Sequence, residues 1–239
     1  PADFAELSCP TGHYCPEGSD VPIACESGSY QDERGKSECK LCPEGYYCER
    51  NTTTPMDCPA GYYCPSQTDF ATQYPCPNGT YSNSTLLTSV GECDECTPGY
   101  YCGYEALTEP TGLCTGGYFC GGGSSVSTPH ESDMFHVSYA GETCVSVNMS
   151  NLNDICPPGH YCPEGSPSPV QCPPGTNTSS IGLVSVGQCQ SCVKGYYCPN
   201  NGTVHATRLC LAGYYCPSGT SNPADFAELS CPTGHYCPE

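Results

Sequence analysis

The sequence predicts a small disulfide-rich fold, with tandem cysteine-rich modules of short β-strands and turns forming an elongated rod with little helix and no large hydrophobic core. Three observations lead there. Cysteine fills 25 of 239 positions, a density that points to an oxidising compartment where loops are stapled because burial alone does not hold them. Leu, Ile, Val and Phe together number 30, too few for a conventional core. Gly and Pro contribute 27 and 25 residues, the composition of a chain that turns often.

The first element is a short turn, Cys-x2-Gly-x-aromatic-Cys. It runs from Cys9 to Cys15, Cys42 to Cys48, Cys58 to Cys64, Cys96 to Cys102, Cys114 to Cys120, Cys156 to Cys162, Cys192 to Cys198, Cys210 to Cys216 and Cys231 to Cys237. Most copies read like Cys58-Pro-Ala-Gly-Tyr-Tyr-Cys64, where Pro restricts one backbone angle, Gly is free to take positive φ and the rings cover the disulfides. A second motif, Cys-x2-Gly-Ser/Thr, starts longer loops at Cys25, Cys76 and Cys172, which close at Cys39, Cys93 and Cys189. These six cysteines are the most secure disulfide positions. Strands are expected to be short and helix nearly absent, with an extended piece at Gly182 to Val186.

The two motifs combine into a six-cysteine unit three times, Cys25 to Cys64, Cys76 to Cys120 and Cys172 to Cys216. The expected organisation is a short cysteine turn in 1–24, modules in 25–75 and 76–120, a divergent insertion with a short turn in 121–171, a third module in 172–222, and the start of a next repeat in 223–239. The spacing resembles the ephrin-receptor-like cysteine-rich repeats of large extracellular surface proteins, including those of protists, which are related to tumour-necrosis-factor-receptor-type modules. The resemblance implies elongated rods in which first pairs with second, third with fifth and fourth with sixth cysteine. It would join Cys25 to Cys39, Cys42 to Cys58 and Cys48 to Cys64; Cys76 to Cys93, Cys96 to Cys114 and Cys102 to Cys120; Cys172 to Cys189, Cys192 to Cys210 and Cys198 to Cys216. Spacing alone equally allows each Cys-x5-Cys to close on itself. The stretch from Gly121 to Cys144 departs from the family pattern. Its Met134, Phe135, Val137 and Tyr139 are expected to make lateral or inter-repeat contacts, with Gly121 to Gly123 as a hinge; the alternative, given the Ser and Gly content before them, is a disordered loop.

Residues 1–17 and 223–239 are identical, so the chain reads as one period of 222 residues plus an overlap, cut from a longer tandem array. One period holds 23 cysteines once the repeated pair is set aside, an odd number. Because Cys156 to Cys162 matches the recurring turn, Cys144 is the expected odd one, either a buried thiol or a bond to a neighbouring chain.

Chemistry beyond cross-linking finds little support. The pairs Cys39/Cys42, Cys93/Cys96 and Cys189/Cys192 lack the βαβ context of a redox site and the reduced thiolates of a zinc site. Histidines at 13, 130, 136, 160, 205 and 235 show no triad or metal spacing, and His13, His160 and His235 fill an aromatic slot of the turn. No catalytic residue, metal or cofactor is expected. A net charge of -19 repels nucleic acid and anionic membranes, and no apolar run approaches the roughly 20 residues of a membrane span. Sequons at Asn51, Asn78, Asn83, Asn148, Asn177 and Asn201 are expected to carry N-glycans, and Ser/Thr-Pro clusters at 52–55, 124–129 and 166–169 are candidates for O-glycans.

The expected function is that of a structural glycoprotein, the repeating block of an extracellular filament, appendage or cell-surface coat, whose partners are copies of itself placed head to tail. The alternative is the stalk of a cell-surface receptor or adhesin that binds a protein or glycan. An enzyme is not expected, since nothing combines nucleophile, base and orienting group.

Overall fold

The computed structural model describes residues 8–129 and 153–237. Twelve disulfides take 24 of the 25 cysteines. The remaining one, Cys144, lies outside the described residues, as do His130, His136, Asn148 and the apolar stretch from Met134 to Tyr139. The chain divides into two compact units, Pro1–Cys96 with Cys102–Thr111, and Thr97–Tyr101 with Gly112–Glu239.

One local design builds both units. In the turn opened by Cys58, the Pro59 carbonyl accepts the Tyr62 N–H at 3.2 Å, a β-turn whose third residue needs positive φ and is therefore Gly. The chain reverses within six residues, and Cys58 and Cys64 come to a Cα separation of 5.9 Å, well suited to a disulfide. The same carbonyl-to-N–H turn follows Cys25, Cys76 and Cys172, through Ser29 to Glu26, Thr80 to Pro77 and Thr176 to Pro173. The two sequence motifs are therefore one turn. At the place of the sixth-residue cysteine these three carry Gln31, Ser82 and Thr178, all buried. Each of these side chains accepts the N–H two residues on, from Glu33, Ser84 and Ser180, and so starts the longer loop that ends at Cys39, Cys93 or Cys189. A six-cysteine module is three consecutive turns, one long and two short.

Every short ring closes on itself. Cys42 bonds Cys48, Cys58 bonds Cys64, Cys96 bonds Cys102, Cys114 bonds Cys120, Cys192 bonds Cys198 and Cys210 bonds Cys216. This corrects the crossed pairing that the family resemblance implies for those cysteines. The reason is local: the glycine turn already brings the two ends of Cys-x5-Cys together.

Consecutive turns are joined by nine two-stranded antiparallel hairpins. In the first unit His13–Tyr14 pairs with Ile23–Ala24, Ser29–Tyr30 with Lys40–Leu41, Tyr46–Tyr47 with Met56–Asp57, and Thr80–Tyr81 with Asp94–Glu95. In the second, Tyr100–Tyr101 pairs with Gly112–Leu113, Tyr118–Cys120 with Asn153–Ile155, His160–Tyr161 with Val170–Gln171, Thr176–Asn177 with Gln190–Ser191, and Tyr196–Tyr197 with Arg208–Leu209. The aromatic slots of one turn thus pair with the residues just ahead of the next opening cysteine. Helical residues among those described form single 3-10 turns at Val90–Glu92, Val186–Gln188, Pro223–Asp225 and Ala227–Leu229. The extended piece expected at Gly182 to Val186 is absent, because Gly182 takes φ 72° and Val186 starts a 3-10 turn capped by Ser185. The buried hydrophobic set among the described residues is cysteine apart from Leu87 and Leu183, so disulfides stand where aliphatic side chains would form a core.

Candidate assembly site

The chemistry this chain concentrates is backbone chemistry at the joint between turns. In the first unit, Gly45 donates its N–H to the Cys64 carbonyl at 2.8 Å and accepts the Cys58 N–H at 2.9 Å. The opening Cys42 carbonyl accepts the Gln67 N–H at 2.8 Å, and the closing Cys48 donates to the Thr68 carbonyl at 3.0 Å. In the second unit the set recurs around the Cys156 ring, where Gly159 bonds Thr178 and Cys172, Cys156 accepts from Gly182, and Cys162 donates to Leu183, at 2.8 to 2.9 Å. Each of these two joints therefore satisfies four peptide groups of buried residues that would otherwise cost free energy.

The turn glycine has a second reason to be glycine. A Cβ on Gly117, at φ 89°, would lie 2.7 Å from the Gly182 carbonyl oxygen, and one on Gly28, at φ 78°, 2.8 Å from the Gln67 carbonyl oxygen. Both carbonyls belong to the second turn along, so these two turns bind the next and touch the one after.

The residue that bonds the opening cysteine sits in a left-handed seat. Gly35, Asn51, Gln67, Leu86 and Ala106 fill it in the first unit with φ from 58° to 71°, and Gly165, Gly182, Gly202 and Gly219 fill it in the second. The next residue is buried at Thr52, Thr68, Leu87, Ser166, Leu183 and Thr220, half-buried at Leu107 and Thr203, and exposed at Lys36. Where it is buried and polar, its hydroxyl is satisfied three residues back: Thr52 donates to Glu49, Thr68 to Pro65, Ser166 to Pro163 and Thr220 to Pro217. Sequence reasoning missed this seat. Its signal was readable as closing Cys, two residues, then Gly/Asn/Gln and Ser/Thr, as in Cys162-Pro-Glu-Gly-Ser166 and Cys64-Pro-Ser-Gln-Thr68.

The sequon asparagines are not equivalent. Asn51, Asn78, Asn83 and Asn201 are exposed, whereas Asn177 is half-buried within its hairpin and its Oδ1 is buried without a hydrogen-bond partner. The two cysteines of each Cys-x2-Cys fall in different rings, as with Cys39 bonded to Cys25 and Cys42 to Cys48. His13 and His160 are half-buried hairpin residues, and His205 lines a polar cleft of about 300 Å³ with Asn201, Thr203 and Arg208.

Charge gathers in the 25–39 loop. Lys40 meets Asp32 at 2.6 Å and Glu33 at 2.8 Å, and Lys36 meets Glu33 at 2.8 Å. Hydrogen bonds from Lys36 and then Lys40 hold the Glu33 carboxyl down to about 2, and Asp32 and Glu33 raise Lys40 above its ordinary range. All these groups face solvent, so the network shapes the loop more than it stabilises the fold. A comparable local bond occurs in the 76–93 loop, where the Glu92 carboxylate accepts the Thr88 N–H at 2.9 Å and the Thr88 hydroxyl at 2.7 Å, and its pKa is lowered by those two bonds in that order. No helix among the described residues is long and apolar enough to cross a membrane.

Comparison with known proteins finds no family model that matches the chain and no curated protein that matches it.

Proposed function

We propose that this chain is a structural glycoprotein of the extracellular space or cell surface, a repeating block of a filament, appendage or coat, allied in spacing to ephrin-receptor-like cysteine-rich repeats though not in their crossed pairing. One observation carries the reading. A single turn with one disulfide recurs through both units, and among the described residues nine of its twelve copies, all but those opened by Cys96, Cys210 and Cys231, make the same set of four backbone bonds to the chain that follows. Repeats that contact only their near neighbours suit extension in one dimension. The twelve disulfides support an oxidising location, and the net charge of -19 with exposed sequons supports a surface that keeps neighbouring fibres apart. No reaction is assigned to the chain.

Electron microscopy of native extracellular material, labelled with antibody against this chain, tests the reading. Fibres decorated at regular intervals are expected. Label confined to a compact particle, or to the base of a membrane-anchored head, would replace the filament by the stalk of a receptor or adhesin. Glycopeptide mass spectrometry tests the glycoprotein component: Asn51, Asn78, Asn83 and Asn201 are expected to be occupied and Asn177 largely bare. Uniformly unmodified asparagines would remove that component.

A further inference from the structure

We infer that the polar cleft beside Asn201 is a seat for the first sugar of the glycan carried by Asn201 itself, the N-acetylglucosamine joined to its side chain. The inference deepens the glycoprotein part of the reading above and rests on it.

The cleft lies between two stretches that the fold holds in place. On one side Gly202 donates to the Cys172 carbonyl at 2.8 Å and the Thr203 carbonyl accepts the Thr178 N–H at 3.0 Å, so the sequon Asn201-Gly202-Thr203 is pinned to the Cys172 turn. The Thr203 hydroxyl donates back to the Asn200 carbonyl at 2.8 Å. On the other side Arg208 is paired with Tyr197 across their hairpin. The space between them is about 300 Å³, lined by Tyr197, Asn200, Asn201, Thr203, His205 and Arg208 among others. That is the small end of the range for ligand clefts, with room for one sugar and not for an extended chain.

The lining suits a sugar ring. A pyranose has an apolar C–H face and a rim of hydroxyls, and N-acetylglucosamine adds an acetamide carbonyl. Half-buried Tyr197 supplies an aromatic surface for the face. The Arg208 guanidinium, the His205 imidazole and the Asn200 amide supply donors and acceptors for the rim and the acetamide. Among the described residues no Asp or Glu lines the cleft, although the chain carries 25 acidic residues against 6 basic ones. His205 and Arg208 are exposed and form no ion pair among the described residues, so their donors are available to a ligand.

The tether decides whose sugar sits there. Asn201 is part of the wall, and a group linked to it has a local concentration on the order of millimolar. The few contacts of a single sugar are then enough for occupancy, and the chain's own glycan outcompetes sugar arriving from elsewhere. Held this way, the sugar covers Tyr197 and braces the loop of residues 199–207.

The test uses the full, oxidised 239-residue chain from a glycosylating secretory host, with Asn78 as internal control because it carries the same Asn-Gly-Thr sequon. Peptide N-glycosidase, which cuts between asparagine and first sugar, is applied without denaturation, and release is followed site by site by mass spectrometry. A docked sugar is cut only from its undocked fraction, so release at Asn201 is expected to be at least about tenfold slower than at Asn78. Reduction and unfolding should erase the difference. His205→Ala with Arg208→Ala, at two exposed positions, is expected to speed release at Asn201 at least about fivefold and to leave Asn78 unchanged. A nuclear Overhauser contact between the N-acetyl methyl and the Tyr197 ring is expected in the parent. Release at Asn201 as fast as at Asn78, indifference to the double substitution, or absence of that contact overturns the docking. A bare Asn201 beside occupied Asn51, Asn78 and Asn83 also overturns it and leaves the glycoprotein reading standing, whereas bare asparagines at every sequon remove both.

Discussion

The loops Cys76–Cys93 and Cys172–Cys189 are the same structure written twice, and their differences show what the fold demands. Both rings close over a sequence separation of 17. Both bury a leucine, Leu87 or Leu183, at 5% exposure, and both end in a 3-10 turn, Val90–Glu92 or Val186–Gln188. The seat before the leucine is Leu86 at φ 66° in the first unit and Gly182 at φ 72° in the second. Left-handed backbone disfavours a branched side chain by about 1–2 kcal/mol, yet the N–H of each reaches its opening-cysteine partner, Leu86 to Cys58 and Gly182 to Cys156, at 2.9 and 2.8 Å. The ladder of bonds, and not residue preference, sets this conformation.

The largest effect is expected at the shared leucine. Leu87→Ala and Leu183→Ala should each cost about 2–3 kcal/mol by analogy with other buried truncations, read as the denaturation midpoint of the oxidised chain. Similar losses would support the equivalence of the loops. A loss at Leu87 alone would break it, and would assign the effect to Tyr63, which packs against the cluster of Leu87, Cys76 and Cys93.

The seat comes next. Gly182→Leu should destabilise by about 1–2 kcal/mol, while Leu86→Gly should be neutral or stabilising by less than about 1 kcal/mol, because relief of strain is offset by the entropy of glycine in the unfolded chain. Equal and opposite shifts of the same size would mean that the seat is governed by intrinsic preference after all.

These positions also show how far the sequence could be read. The ring turn was legible because Cys, Gly and Tyr recur at fixed spacing, and each has a local cause in the β-turn. That Gln31, Ser82 and Thr178 replace a cysteine was hidden, since a polar side chain that bonds its own loop serves the site without resembling a thiol. The seat was legible after a short ring, as in Cys162-Pro-Glu-Gly-Ser166, but hidden in the long loops, where Leu86 and Gly182 share a backbone conformation and no side-chain chemistry. Pairing was open because spacing does not distinguish a ring closed on itself from two rings crossed.

The smallest difference is electrostatic. Glu92 in the first loop and Gln188 in the second hold equivalent bonds, with the Gln188 Oε1 accepting the Val184 N–H at 2.6 Å and the Ser185 N–H at 3.1 Å. The Glu92 pKa is lowered in the fold by the Thr88 backbone and hydroxyl bonds. Its contribution is therefore present above the ordinary carboxylate range and lost as pH falls through the depressed value. The Thr88 amide resonance should shift on acidification while that of Val184 stays in place, and Glu92→Gln should make the loops alike. A Thr88 amide indifferent to pH would contradict the bond.

The central claim is that each turn closes its own ring and that turns are joined by hydrogen bonds rather than by disulfides. The chain's three methionines, Met56, Met134 and Met149, allow it to be read directly by cyanogen bromide cleavage of the oxidised protein, analysed by mass without reduction. Cleavage after Met56 falls between the Cys42–Cys48 and Cys58–Cys64 rings, so the account predicts that residues 1–56 and 57–134 separate as independent fragments, each with its disulfides intact. Fragments that remain joined until reduction would show crossed pairing of Cys42 with Cys58 and Cys48 with Cys64, and would contradict the one-turn, one-ring design.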